Sequence, residues 1–188
     1  SWVVNNTGNE RAAAPWSDGL VVRNLSTGQT ILSTTQLHSA AVEGALAAGG
    51  TRDRSLTFTW PQGTAGIGQL EFVVTTDVSG EVFESNAQDD AEANNAQRLT
   101  LSSTPDLTVR NVRIEQAAVQ AGDPLTVRWE DVNNGVAATP AGWNDRIQIR
   151  NLDTGETLFN GASFFDPTLP GNGPVTPGAS VERSFSVR

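Results

Sequence analysis

Apolar and polar residues alternate along much of the chain, with a period of two residues. In the segment 69–75, for example, Leu70, Phe72 and Val74 are each separated by one residue. This pattern is typical of a β-strand with one buried face and one solvated face. The same pattern predicts further strands at 55–60, 98–101, 125–130 and 146–150.

The alternation changes phase once within a single predicted strand. In 106–114 the apolar residues move from odd to even positions. A phase change of this kind is typical of an extra residue in the strand. We therefore predict a bulge or kink near Arg110 and Asn111, in a first strand that passes from one sheet to the other.

Turn signals separate the predicted strands. The segments 24–28 and 151–155 both end in glycine, and we expect Gly28 and Gly155 to adopt a positive φ in hairpin loops. A further tight turn is predicted at 78–81. The helix candidate, 40–48, is interrupted by glycine and is predicted to form one or two turns at most.

The chain contains an internal repeat. A shift of 127 residues aligns RNLSTGQT (23–30) with RNLDTGET (150–157) and places Trp16 on Trp143. Self-similarity at such a period indicates that one structural unit has been copied. After a length change of two residues, the segment 49–55 also aligns with 178–184.

The repeat sets the predicted domain organisation. Short strands with frequent turn signals and recurring tryptophans are typical of a β-sandwich of about seven strands. We predict an all-β fold of tandem immunoglobulin-like β-sandwiches, both truncated by the chain ends. The first domain, 1–104, is expected to lack its first strand, and the second, 105–188, its last strands.

The order of several short motifs resembles the CARDB family, the cell-adhesion-related domains of bacteria. The motifs are PDLTV (105–109), LTVRW (125–129) with VNNG (132–135), WND (143–145) and GIGQLEFVVTTD (66–77). The resemblance implies an immunoglobulin-like sandwich, found in tandem in large exported or surface-anchored prokaryotic proteins. It therefore implies an extracellular or cell-surface location.

Composition narrows the function classes. Twelve basic residues, all arginine, stand against 21 acidic ones, which gives a net charge of −9. We expect neither nucleic acid nor an anionic membrane as a partner, because both require a basic surface. The chain has no cysteine and a single histidine, His38. No motif supplies a nucleophile with a base beside it, so we predict that the chain is not an enzyme.

Residues that recur between the repeats are predicted to serve folding. We expect the tryptophans to pack in the cores, and Asp18 and Asp145 to accept backbone N–H bonds at the turn into a strand. The alternative for the tryptophans is a sugar-stacking surface. The predicted structural set is Trp2, Trp16, Asp18 and Gly28 in the first copy, with Trp129, Trp143, Asp145 and Gly155 in the second.

Two sets of residues are candidates for binding. Asp89, Asp90, Glu92 and Asn94 lie in an acidic stretch whose hard oxygen ligands suit Ca²⁺, and a solvated hairpin loop is the alternative. Calcium is the single candidate cofactor. The aromatics expected to be exposed are Trp60, Phe164 and Phe165.

These observations favour a structural or adhesive role. We expect a repeat of a large extracellular bacterial surface or filament protein that acts as a stiff spacer or builds a fibre. Its expected partners are other copies of itself, neighbouring repeats of the same chain, and surface glycans or proteins. Strand exchange between subunits would follow if both sandwiches borrow strands, whereas an excerpt from a longer chain would need none. The alternative function is a carbohydrate- or ligand-binding module of a secreted protein.

Overall fold

The computed structural model describes residues 1–85, 91–120 and 122–187. The prediction of an all-β fold is confirmed, because regular structure in these residues consists of antiparallel strands with short helical turns. The chain divides into two compact units, Ser1–Ser102 and Ser103–Arg188, within two residues of the boundary predicted from the repeat.

Within residues 1–85 and 91–102, the first unit forms two sheets. The strands are β1 (Trp2–Asn5), β2 (Trp16–Asn24), β3 (Gln29–His38), β4 (Thr51–Arg54), β5 (Gly68–Thr75) and β6 (Ala96–Ser103). One sheet pairs β1 with β4, and the other has the order β3-β2-β5-β6. The helical pieces are α1 (Ala40–Glu43) and two 3₁₀ turns, Gly63–Gly66 and Ala91–Asn95. Val4, Trp16 and Leu46 form the buried core between the sheets.

The described part of the second unit, 103–120 and 122–187, also forms two sheets. Its strands are β7 (Leu107–Ile114), β8 (Leu125–Asn133), β9 (Trp143–Arg150), β10 (Thr157–Phe165) and β11 (Ser180–Val187). One sheet has the order β11-β8-β7, and the other pairs β10 with β9. Facing side chains join the sheets: the rings of Phe159 on β10 and Phe185 on β11 lie 5.4 Å apart.

Strand register is the same in both units. Trp2 lies opposite Arg54 in the first unit, and Trp129 lies opposite Arg183 in the second. In the β2–β3 hairpin the register shifts between Val22 and Arg23, whose partners on β3 are Leu32 and Thr30. In the β9–β10 hairpin it shifts between Thr157 and Phe159, which are the repeat counterparts of Thr30 and Leu32. In these two strand pairs, positions 127 or 129 residues apart therefore share the same register.

The bulge predicted in the first strand of the second unit is confirmed. The register of β7 against β8 shifts between Arg110 and Arg113, and Asn111 adopts a φ of 53°. Asparagine tolerates this left-handed conformation better than most residues. However, β7 pairs with β8 on both sides of the bulge, so the expected passage to the other sheet is wrong.

The predicted hairpin glycines adopt the expected conformation, with φ of 75° at Gly28 and 73° at Gly155. The strand predicted at 55–60 is wrong, because β4 ends at Arg54. In the second unit, the corresponding half of β11 pairs with Leu125–Arg128 of β8. In the first unit, the β1–β4 ladder ends at the pair of Trp2 and Arg54, and an apolar alternation without a partner strand forms no ladder.

Candidate functional site: a buried tryptophan–arginine cluster in each unit

A buried carboxylate lies at the centre of the first unit. Asp18 is 1% exposed. It accepts hydrogen bonds from Trp16 Nε1 at 3.1 Å, Trp2 Nε1 at 3.4 Å, Arg54 Nε at 2.9 Å and Thr76 Oγ1 at 2.6 Å. Four donors satisfy both oxygens, which offsets the cost of removing the charge from water.

Arg54 is the buried counter-charge of Asp18. Its guanidinium also donates to the carbonyl oxygens of Gln36 and Leu37, both at 3.2 Å, and to Glu43 Oε2 at 3.0 Å. Arg54 therefore ties β4 to the end of β3 and to α1, as well as to β2. We call Trp2, Trp16, Asp18, His38 and Arg54 the first cluster.

The second unit repeats this arrangement. Asp145 accepts from Trp143 Nε1 at 3.1 Å and from Arg183 Nε at 3.1 Å. Arg183 also donates to the carbonyl oxygen and the hydroxyl of Ser163, at 3.0 and 3.1 Å. Its guanidinium lies 5.0 Å from the centre of the Phe165 ring, within cation–π range.

The second cluster is completed by Trp129, whose indole is 5.9 Å from the Arg183 guanidinium. We define the second cluster as Trp129, Trp143, Asp145, Phe165 and Arg183. Each member corresponds to one residue of the first cluster by repeat position. The clusters differ at one ring, because Phe165 stands where the first cluster has His38.

The second cluster also faces an additional carboxylate, Asp131, at the repeat position of Val4. Asp131 is 2% exposed, accepts from Trp129 Nε1 at 3.1 Å and lies 3.5 Å from Arg183 Nε. Burial and the nearby charge of Asp145 raise the pKa of Asp131 to about 6, against the lowering effect of Trp143 and Arg183. Two carboxylates thus share one guanidinium in this unit.

His38 is fully buried in the first cluster. Its ring centre lies 3.7 Å from that of Trp16, and its Nδ1 lies 3.2 Å from Glu43 Oε2. Its Nε2 has no hydrogen-bond partner in the part of the chain that the structure describes. A buried nitrogen without a partner costs about 1 to 3 kcal/mol.

We predict that His38→Phe raises the free energy of unfolding of the first unit by about 1 kcal/mol. The substitution removes the unpartnered nitrogen. It also introduces the residue found at the same repeat position of the second unit, where the Phe165 ring lies 4.3 Å from that of Trp143. Urea unfolding followed by tryptophan fluorescence measures the change. Leu37→Phe is the matched control, because Leu37 is 61% exposed and Phe164 is its repeat counterpart. A loss of stability in His38→Phe would show that the imidazole is required.

Asparagine side chains close the ends of the sheets in the same way in both units. Asn133 Nδ2 donates to the carbonyl oxygens of Ala137 and Val175, and Asn6 Nδ2 donates to those of Glu10 and Leu46. Their side-chain oxygens accept from the amides of Gly135 and Gly8, both at 3.0 Å. Such loop networks are typical of asparagine, which hydrogen-bonds its neighbouring backbone.

The structure corrects the predicted partners of the recurring aspartates. Asp18 and Asp145 lie inside β2 and β9, and they accept indole and guanidinium N–H groups rather than backbone N–H groups. The arginines were missed. A signal was present: Arg183 lies in the same phase as Val181 and Phe185 of its strand, where an apolar residue is expected.

The predicted tryptophans have different exposures. Trp16 is 2% exposed and Trp129 is 4% exposed, whereas Trp2 and Trp143 are partly buried. All four indole N–H groups donate to an aspartate within their own unit. Their indole N–H groups therefore form hydrogen bonds inside the units.

The predicted exposed aromatics do not form one set. Phe165 is 2% exposed and stacks on Trp143, so its assignment to an exposed binding surface is wrong. Trp60 belongs to the first unit, is 36% exposed, and lies near Phe72 and Phe58. Phe164, in the second unit, is 60% exposed because its side chain points to the face of β10 opposite Phe165.

The candidate calcium ligands lie partly outside the described residues, which do not include Asp89 and Asp90. Glu92 and Asn94 fall in the 3₁₀ turn Ala91–Asn95, where Glu92 Oε2 accepts from Asn95 Nδ2 at 3.2 Å. Within residues 1–85, 91–120 and 122–187, no group of three acidic, histidine or cysteine side chains is placed to hold a metal ion.

Calcium binding stays a prediction. If Asp89 and Asp90 complete a site with Glu92 and Asn94, millimolar Ca²⁺ raises Tm by several degrees, because a ligand that binds only the folded state stabilises it. Differential scanning calorimetry with and without Ca²⁺ measures this shift. The shift is absent in Asp89→Asn/Asp90→Asn, and an equal shift with Mg²⁺ would argue against a calcium site.

No protein-family model matches the chain, and no curated protein matches it. Among solved structures, the chain is similar to the crystal structure of red sea bream transglutaminase, with a TM-score of 0.42 and 14% sequence identity. The match covers 98% of this chain and 23% of that one. A similarity this weak carries no conclusion about family or activity. In the described residues, no helix is long and apolar enough to cross a membrane.

Proposed function

We propose that this chain is a structural or adhesive segment of a large extracellular bacterial surface or filament protein, whose units act as stiff spacers or fibre-building blocks. The acidic, cysteine-free composition and the motif resemblance support this setting. The proposal includes no enzymatic role, since the polar residues that recur between units hydrogen-bond one another inside the cores.

The observation that carries the proposal is the short joint before β7. β6 ends at Ser103 and β7 begins at Leu107, so only 104–106 lie between them. The carbonyl oxygen of Thr104 accepts from the amides of Val136 and Ala137 at 3.0 and 3.3 Å. The joint is thus fastened to the loop after β8.

Asp106 fastens the other end of the joint. Its amide donates to Asn133 Oδ1 at 3.0 Å, and its carbonyl oxygen accepts from the amide of Asn134 at 2.8 Å. Pro105 fixes one further backbone angle. These four hydrogen bonds lie within the second unit and fix residues 104–106 on it. A connection this short that includes a proline is the kind of joint a stiff spacer requires.

The absence of a side chain at Gly135 allows residues 104–106 to pack closely against the loop after β8. A Cβ atom on Gly135 would lie 2.3 Å from the Thr104 carbonyl oxygen and 2.5 Å from the Asp106 amide nitrogen. Its repeat counterpart is Gly8, where a Cβ atom would meet only Asn6 Oδ1, at 3.2 Å. The two glycines therefore form a matched pair, one at the joint and one away from it.

We predict that Gly135→Ala loosens the joint. Spin labels at Thr35→Cys and Ala162→Cys, exposed positions of β3 and β10 in a chain without native cysteine, report the distance between the units. Double electron–electron resonance should give a narrow distance distribution for the native joint. Gly135→Ala should broaden it about twofold, because the alanine side chain overlaps the joint backbone.

Gly8→Ala is the control and should leave the distribution unchanged. Insertion of four glycine and serine residues after Thr104 should broaden it at least as much as Gly135→Ala, since such linkers are flexible. A distribution for the native joint as broad as that of the insertion variant would contradict the stiff-spacer role.

A further inference from the structure

Two long strands, β3 and β10, lie at the outer edges of their sheets. β3 is the end strand of the sheet β3-β2-β5-β6, and β10 lies on the corresponding side of β9. Within the described residues, neither strand pairs with another on its outer side. Because β2 is paired with β3 on one side and with β5 on the other, the outer side of β3 is the outside of a four-stranded sheet.

Both edge strands lack the residues that usually protect an edge. They contain no acidic residue, no arginine and no proline, although 18% of the chain is charged. Each of the other edge strands of eight residues or more, β6, β7, β9 and β11, contains at least one arginine. Charged residues, proline and bulges commonly prevent an edge strand from pairing with another chain. The register shifts near the start of β3 and β10 leave 32–38 and 159–165 regular.

The outer edge of β10 presents the backbone groups of its even-numbered residues. On the β10 side of β9, the Asn151 amide donates to the carbonyl oxygen of Glu156, and the Asn151 carbonyl oxygen accepts from the amide of Gly155. Because backbone groups alternate along a strand, the odd-numbered residues of β9 also bond to β10, and their partners in register are odd-numbered. The amides and carbonyl oxygens of Asn160 and Ala162 therefore face outward.

The exposed side chains of β10 have a symmetric order. Leu158 and Phe164 lie three residues to either side of Gly161, and they are 59% and 60% exposed. Between them on the same face, Asn160 and Ala162 are exposed and uncharged. In an antiparallel pair of β10 with itself, centred on Gly161, Leu158 of each copy lies opposite Phe164 of the other.

β3 has the same arrangement in the first unit. Ile31 and Leu37 lie three residues to either side of Thr34, which is the repeat counterpart of Gly161. Leu37 is 61% exposed, whereas Ile31 is partly buried. Single exposed apolar residues are normal on a protein surface. A symmetric pair on an uncharged edge, present in both units, instead favours an identical strand as the partner, and the pair on β10 is the more exposed.

We propose that the outer edge of β10 pairs antiparallel with the same edge of a second copy of this chain, about a two-fold axis that relates the two Gly161 residues. Asn160 of each copy then exchanges backbone hydrogen bonds with Ala162 of the other, and Leu158 is covered by Phe164. The same surface is used by both copies, so every strand stays in its own unit. This inference rests on the proposed structural role for its biological meaning, because it would join spacer segments side by side.

Sedimentation equilibrium of the full chain tests for the dimer. Each copy has a net charge of −9, so two copies repel one another and salt screens the repulsion. The dimer dissociation constant should therefore fall severalfold as NaCl rises from about 50 to about 500 mM, whereas a contact made by ion pairs would weaken. Hydrogen exchange at high protein concentration should newly protect the amides of Asn160 and Ala162. This measurement needs no variant, so the test stays decisive if a variant fails to fold.

Paired substitutions test the register. Asn160→Glu/Ala162→Glu places carboxylates opposite carboxylates and should raise the dimer dissociation constant about tenfold or more. Asn160→Glu/Ala162→Arg places opposite charges against each other and should dimerise at least as well as the native chain. Glutamate at 160 also keeps an acceptor for Arg146 Nε, which donates to Asn160 Oδ1 at 3.0 Å. Thr100→Glu/Ser102→Glu, at exposed positions of the edge strand β6, is the matched control and should dimerise normally.

Cysteine cross-linking tests the register independently, because the chain has no native cysteine. A mixture of the single variants Asn160→Cys and Ala162→Cys should form a mixed disulfide dimer under mild oxidation, since opposed residues lie within disulfide range. Either variant alone should cross-link severalfold less, because identical residues are offset along the strands. Stronger cross-linking of Asn160→Cys alone would indicate parallel pairing and overturn the proposal.

Other results would also overturn the proposal. A chain that stays monomeric at millimolar concentration and high salt would show that the edge does not pair with itself. A dimer that Asn160→Glu/Ala162→Glu leaves unchanged would place the contact on another surface, and loss of the dimer in Asn160→Glu/Ala162→Arg would contradict the register. None of these results depends on the stiffness of the joint, so failure here is distinguishable from failure of the spacer role.

Discussion

Replacing Arg54 with methionine is expected to lower the free energy of unfolding of the first unit by about 3 to 5 kcal/mol. Arg54 is 7% exposed and Asp18 is 1% exposed, with 2.9 Å between their paired atoms. Methionine fills much of the same volume but leaves the carboxylate buried without a counter-charge. Urea unfolding gives the loss, and hydrogen exchange assigns it to 1–102.

Arg98→Met is the matched control for this prediction. Arg98 also makes an ion pair at 2.9 Å, with Glu71, but its side chain is 65% exposed. Solvent screens such a pair, so we expect a loss below about 1 kcal/mol. Equal losses in the two variants would show that burial of the charge is not what makes Arg54 important.

A second substitution tests the physical cause. Arg54→Met/Asp18→Asn removes the uncompensated charge and keeps an oxygen to accept from Trp16 and Thr76. We expect this double variant to be more stable than Arg54→Met alone by roughly 1 to 2 kcal/mol, because neighbouring charges are energetically coupled. A double variant that is less stable than Arg54→Met would contradict an electrostatic cause.

Local sequence was sufficient to predict the elements whose signal is carried by adjacent residues. Alternation predicted β5 and β8, and the phase change predicted the bulge at Asn111. In each case the side-chain period itself reflects which face of the strand is buried. The strand predicted at 55–60 does not form, because ladder formation depends on a partner strand distant in the sequence.

The buried clusters show a different limit of sequence reasoning. The repeat marks Asp18 and Trp16, and Trp16 donates to Asp18 from two residues away, but the other three donors to Asp18 are 16 to 58 residues away in the sequence. Charged residues are ordinarily expected on the surface. The informative feature was phase: Asp18 shares the phase of Leu20 and Val22, as Arg183 shares that of Phe185. A charged residue in both repeats, at a strand position where the alternation predicts an apolar residue, indicates a buried ion pair.

Which aromatic side chain of β10 is exposed could not be predicted from the sequence. Phe164 and Phe165 are adjacent and chemically identical, yet one is 60% exposed and the other 2% exposed. Their strand had no clear alternation to distinguish the two faces. The repeat position of His38 relative to Phe165 became informative only once both rings were seen stacked on equivalent tryptophans.

The second unit is expected to lose stability as pH rises from about 4 to 7, and Asp131 is the cause. The pKa of Asp131 is about 6 in the folded chain, raised from 3.8 by burial and by the charge of Asp145. The folded state therefore binds more protons than the unfolded state in this range, and the free energy of unfolding falls as the pH increases. The contribution is at most roughly 3 kcal/mol, present below pH 4 and lost as pH passes through 6.

Asp131→Asn should remove most of this pH dependence. Asparagine keeps an acceptor for Trp129 Nε1 but carries no charge, so at pH 7.5 the variant should be more stable than the native chain by about 1 to 2 kcal/mol. The first unit is the internal control, since Val4 occupies the equivalent position and is 8% exposed. Hydrogen exchange at pH 5 and pH 7.5, corrected for the intrinsic exchange rate, reports each unit separately. If the free energy of unfolding of the second unit changes with pH in Asp131→Asn as it does in the native chain, another group binds the proton. The guanidinium of Arg183 would then already compensate the charges of both Asp131 and Asp145.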